Sequence, residues 1–114
     1  MPITAASQDL RQRLIQHRSQ IEAIAQQHGA TNLRLFGSVA LGTATATSDI
    51  DLLADIDPRR SLLDRIALKH ALEDLLGCPV DIARPNQLHP AIRTVALAAA
   101  IPLEQLSVNR ELQS

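Results

Sequence analysis

Gly37-Ser38 stands ten residues ahead of Asp49-Ile50-Asp51, and the flanking segments Leu33 to Phe36 and Asp49 to Ile56 read as buried strands. A strand turns residues two apart to the same side, so Asp49 and Asp51 fall about 6.7 Å apart along the chain and face one way. At a separation of about 4 Å two such charges repel by roughly 4 kcal/mol near a protein surface, so the pair calls for a cation. Mg²⁺ suits it, because it takes one or two carboxylates and completes its shell with phosphate oxygens and water. Gly37, where strand turns into helix, lets the backbone approach a ligand closely, and the N–H groups that open the helix, Ser38 included, are suited to phosphate. An isolated Gly-Ser is ordinarily no more than a tight turn and a cap; the Asp-x-Asp at this spacing is what makes Gly37 and Ser38 a candidate phosphate seat.

The remaining pattern alternates helix and strand. Apolar positions Leu10, Leu14, Ile21, Ile24 and Ala25 recur at helical spacing and predict one amphipathic helix from about Ser7 to His28, with Ser7 as N-cap and Gly29 as the stop. A short helix follows Gly37, and Gly42 to Ser48 is a loop. Asp57-Pro58 ends the second strand, Ser61 with Asp64 three residues on caps a helix to Leu76, and Gly77 closes it. Leu68, Leu72, Leu75 and Leu76 form its buried stripe. Pro79 to Ala83 reads as a short strand, Pro90 to about Ala100 as a helix, and Ile101 to Leu103 as a brief edge strand. The tail after Leu106 carries no signal. The order predicts an α/β fold in a single domain spanning residues 1–114, a compact sheet covered by helices.

Composition narrows the function. Phe36 is the only aromatic residue in the 114, so stacking platforms for single-stranded nucleic acid are missing. Net charge is −1 with acids and bases interspersed, which leaves no basic face for a phosphate polymer, and direct nucleic-acid binding is not expected. Cys78 is the lone cysteine, the first residues carry no secretory signal, and no apolar run reaches the ~18 residues of a membrane span, so a cytoplasmic protein is expected.

A third acid, Asp81, interrupts the apolar run Val80-Asp81-Ile82, where a carboxylate is costly unless it is paired or the strand is an exposed edge. Beside the Asp49 to Ile56 strand it would reach the same metal site and take a proton from an attacking hydroxyl. Asp55 and Asp57 read as surface acids at the end of that strand. Gly37 to Gly42 has P-loop glycine spacing, yet Thr43-Ala44 stands where Lys-Ser/Thr is needed. Asp49-x-Asp51 as a calcium loop fails because Leu53 and Ala54 occupy positions for a ligand and a glycine. The four histidines, His17, His28, His70 and His89, lack metal-ligand spacing, and Cys78 reads as a small buried residue rather than a nucleophile.

From roughly Leu33 to Leu103 the chain resembles the nucleotidyltransferase superfamily typified by DNA polymerase beta, and within it the minimal nucleotidyltransferases, the MNT antitoxins encoded beside HEPN-domain toxins. The signature is Gly37-Ser38, ten residues, then Asp49-Ile50-Asp51, with Asp81 matching the later acid and Leu88 to Arg93 resembling the last helix. The resemblance implies a mixed-sheet nucleotidyltransferase fold and two Mg²⁺ ions held by Asp49, Asp51 and Asp81. It implies attack of an acceptor hydroxyl on the α-phosphate of ATP, with pyrophosphate leaving. The acceptor it implies is a tyrosine of a HEPN ribonuclease toxin, bound in a hetero-oligomer and neutralised by AMP transfer in a type VII-like toxin–antitoxin pair. Many relatives read Gly-Ser-x-Ala-Arg-Gly, whereas Leu41 stands here in place of the Arg and removes a bidentate phosphate partner. The alternative is therefore an antitoxin that neutralises by binding alone; a third reading, transfer to a small molecule, lacks a substrate-binding extension.

Overall fold

The computed structural model describes residues 2–106. Its helices are α1 (Ala5–Gln16), α2 (Arg18–Gln27), α3 (Gly37–Leu41), α4 (Leu62–Leu76) and α5 (Pro90–Ala99), and its strands are β1 (Ala30–Phe36), β2 (Ile50–Ile56), β3 (Val80–Ala83) and β4 (Ile101–Pro102). The strands form one mixed sheet in the order β3-β2-β1-β4, with β1 antiparallel to β2 and β4, and β2 parallel to β3.

The single N-terminal helix expected from the periodicity is two. His17, with φ −109°, separates α1 from α2 inside the polar run Gln16 to Gln20, where no apolar side chain ties the helix to the core. The bend lets Leu10 and Leu14 of α1 and Ile21 and Ala25 of α2 reach one core. Ser7 is also not the cap. Thr4 accepts the Ser7 N–H at 3.1 Å, while Ser7 itself is fully buried and takes the Ala44 N–H on its Oγ at 2.9 Å.

Alternation along β2 sorts the sheet into two faces. Ile50, Leu52 and Ala54 are fully buried in the cluster built with Leu35, Val80 and the leucines Leu68, Leu72 and Leu76 of α4. Asp51, Leu53 and Asp55 fall on the other face. The α4 boundaries are those expected from sequence: Ser61 and Asp64 form a capping box, and Gly77 ends the helix with φ 72°. From α4, the Glu73 carboxylate accepts the Val80 N–H at 3.0 Å and so anchors the start of β3. That bond holds the Glu73 carboxyl below its ordinary range. The helix α5 packs on β1 and α3 with none of its residues buried. Among the described residues no helix is long and apolar enough to cross a membrane, and the tail after Leu106 lies outside them.

Candidate active site

Strand pairing builds the site. In the β1/β2 register Phe36 lies opposite Asp51, so the turn at Gly37 is carried directly over the Asp51 side chain. Gly37 has φ +73°, and a Cβ placed there would collide with Oδ2 of Asp51 and lie 3.1 Å from its Cγ. Both facts demand glycine: an L side chain is strained at that φ, and the space it needs is filled by the carboxylate. The sequence pairing of Gly37 with the Asp-x-Asp is thus a physical contact.

The parallel β2/β3 register sets Asp51 beside Asp81 on the neighbouring strand. Asp81 is exposed, because β3 is the edge of the sheet; of the two alternatives the sequence leaves open, a paired acid in a buried strand or an acid on an exposed edge, the strand order gives the edge. Asp49 is likewise not a strand residue. β2 opens at Ile50, whose N–H donates to Pro79 O at 3.0 Å, and Asp49 is the exposed residue just before it. The three acids nevertheless share one field. Burial pushes the Asp51 carboxyl up to about 6, and the negative charges of Asp81 and then Asp49 push in the same direction.

The turn is pinned from α1 by a residue that no motif singled out. Arg11 donates from Nε to Val39 O at 3.1 Å and from Nη2 to Ala40 O at 2.8 Å, at the end of α3 where carbonyls lack helical partners. Val39 is fully buried, Thr43 N–H donates to Ser38 O at 2.9 Å, and Gly42 closes the helix at φ 79°. Thr4 donates to Ala44 O at 2.6 Å, so α1 and its cap hold the end of α3 and the chain that follows it. Only polar positions between Leu10 and Leu14 marked Arg11 in the sequence, and those say nothing of a partner 28 residues away. Leu41 is 63% exposed and makes no compensating polar contact.

The residues set aside from sequence stay aside. Asp55 pairs with Arg34 and Asp57 with Arg59, each at 3.0 Å. His89 caps α5 by accepting the Ala91 N–H at 3.0 Å, and His28 lies 2.8 Å from Ile24 O. Burial pushes the Cys78 thiol up, which leaves it protonated and a poor nucleophile. Among the described residues no three histidines, cysteines or carboxylates form a ready-made metal cage. Mg²⁺ does not require one: it is bound through one or two carboxylates plus phosphate and water. The donor set fits, being all hard carboxylate oxygen, with one member raised by burial and then by its like-charged neighbours.

Comparison with known proteins agrees with this geometry. The family description "nucleotidyltransferase domain" matches residues 17–103. A Methanocaldococcus jannaschii protein carrying the name protein adenylyltransferase is 39% identical over 65% of this chain and 80% of its own length. The protein adenylyltransferase MntA of Thermococcus cleftensis is 33% identical over 68% of this chain and 79% of its own. A solved structure described as a minimal nucleotidyltransferase superposes with a TM-score of 0.72 at 43% identity, covering 81% of this chain and 94% of that one. A toxin–antitoxin structure with AMP-PNP shares the fold, with a TM-score of 0.62 at 21% identity over 82% of this chain and 77% of that one. With the Gly-Ser turn seated on the Asp-x-Asp in a mixed sheet, and with the family match running across most of its length, the chain belongs to the nucleotidyltransferase domain family.

Proposed function

We propose that this protein transfers AMP from ATP to a tyrosine hydroxyl of a HEPN ribonuclease toxin and so serves as its antitoxin. The observation that carries the reading is the Gly37 turn seated on Asp51, with Asp81 beside Asp51 on the neighbouring strand, Asp49 just ahead of β2, and the Asp51 carboxyl raised to about 6 by burial and these two neighbours. A neighbouring positive charge favours the anion of such a group. Relatives named as protein adenylyltransferases support the transfer of AMP to protein.

In this reading Asp49 and Asp51 hold Mg²⁺, with Asp81 completing the set. When bound, the metal neutralises phosphate charge and polarises the phosphoryl oxygens. Gly37 admits the phosphate chain close to the backbone, and Ser38 adds a backbone N–H at the same turn. Asp81, exposed at the sheet edge, is the acid an acceptor arriving from solvent meets, and it takes the proton as the hydroxyl oxygen bonds to the α-phosphorus. The bond to the bridging oxygen breaks and pyrophosphate leaves. Phosphoryl transfer needs chiefly positioning and charge neutralisation, so a domain of this size suffices when the partner brings the acceptor. The chain has no tyrosine of its own to modify.

Leu41 favours a second reading, an antitoxin that masks its toxin without transfer, because an exposed leucine occupies the place of a phosphate-binding guanidinium. Co-expression with the protein encoded next door, followed by size exclusion and intact mass of the partner, separates the two. A mass gain in units of AMP on a tyrosine is the expected result. A stable complex with unmodified partner and suppressed ribonuclease activity would leave masking alone, and the absence of both complex and mass shift would overturn both readings.

A further inference from the structure

The far end of the β2/β3 pair carries the opposite charge to the acid site. Arg60, Arg65 and Arg84 line one cavity of about 210 Å³ with Ser61 and Gln87, at the C-terminal ends of the two parallel strands. It begins beside Ile56, about 16 Å along β2 from Asp51. One carboxylate belongs to the cluster: Asp64 lies 3.7 Å from Arg60 and accepts the Ser61 N–H at 3.1 Å. The other acids at this end, Asp55 and Asp57, hold Arg34 and Arg59. Arg65 donates to Gln87 Oε1 at 3.1 Å, and among the described residues the buried Nε–H of Arg84 has no hydrogen-bond partner.

Guanidinium charges that line one cavity repel, and an anion held among them relieves that repulsion. Planar guanidinium forks suit phosphate oxygens, and the cavity opens at the first turn of the fifteen-residue α4, where the helix field also favours negative charge. We infer that this cavity binds the phosphate groups of a small anion, free pyrophosphate or the phosphate of a nucleotide, at a site separate from the catalytic acids. It is independent of the transfer reaction proposed above, since none of its residues belongs to that site.

Calorimetric titration of the whole chain in EDTA at low salt, with inorganic pyrophosphate, AMP and a short oligoribonucleotide as separate titrants, tests it. EDTA leaves the acid site negative and repellent to either ligand. Saturable binding is expected, weakened tenfold or more in Arg65→Gln and in Arg84→Gln, with Arg84→Lys intermediate and Asp51→Asn unchanged. Melting curves establish that each variant is folded, and Arg65→Gln carries the test should Arg84→Gln not fold. Tighter binding of pyrophosphate assigns the site to the free anion, and tighter binding of AMP to a nucleotide. No saturable binding of either at millimolar concentration, affinity indifferent to both arginine variants, or binding of a short oligoribonucleotide alone would overturn the inference.

Discussion

One strand carries acids at both ends, and the ends are treated differently. Past the end of β2, Asp57 receives three hydrogen bonds from Arg59, two from the guanidinium and one from the backbone N–H, and they hold its carboxyl below the ordinary range. Asp55, two residues earlier, is held by Arg34 at 3.0 Å. At the start of β2, Asp51 lies beside Asp81 and near Asp49, and its carboxyl is driven upward to about 6, by burial first and by these two charges second. An exposed, paired acid contributes little to stability and has no work left to do. An acid crowded by its own kind costs stability, and natural chains keep such clusters where charge must be met by a ligand.

The largest expected effect breaks this contrast at its source. Asn at 49 or 51 keeps the shape and removes a charge; loss of about 4 kcal/mol in the transition state slows AMP transfer roughly a thousandfold. The check is transfer of labelled ATP in the presence of Mg²⁺ and partner, and wild-type rates in both variants would refute the two-carboxylate assignment. Asp81→Asn sharpens the same comparison, because Asp81 stands exposed on the neighbouring edge strand, where the proposed acceptor would arrive. Turnover is expected to fall by about a hundredfold, in the range of general-base losses, while ATP affinity by calorimetry changes little. Equal loss of affinity and turnover would make Asp81 a third phosphate-side ligand.

Much of the acid end was legible because its determinants are local. Strand, glycine turn, short helix and Asp-x-Asp follow one another within twenty residues, and Ser61 with Asp64 announces its own helix start. What was not legible depends on distant partners. The break at His17 serves the packing of two helices on one core, and the exposure of Asp81 follows from β3 taking the sheet edge, a matter of strand order. β1 begins at Ala30 rather than Leu33 because Asn32, with φ 54°, sits in an irregularity of the β1/β2 ladder between Thr31 and Arg34 that alternation does not reveal. Arg11 holds the turn after β1 through contacts to Val39 and Ala40 for which no spacing rule exists.

The smallest effect is one of pH, and it tests the two ends together in metal-free protein. For Asp51 the folded value near 6 lies above the ordinary 3.8. The native state therefore keeps a proton that the unfolded chain has released between these values, and stability falls as pH rises from about 4 to 6. For Asp57 the folded value is lowered, so its contribution is present above 3.8 and lost as pH falls through the folded value. The two carboxylates thus act in different windows with opposite slopes, and neither is deeply buried, which keeps both effects modest. In EDTA, Asp51→Asn is expected to flatten the decline between pH 4 and 6 and to melt a few degrees higher at neutral pH, while Asp57→Asn leaves that decline intact. Thermal melts across pH 3 to 8 read both. A decline between pH 4 and 6 that survives Asp51→Asn would locate the unmet charge elsewhere and dissolve the contrast between the ends of β2.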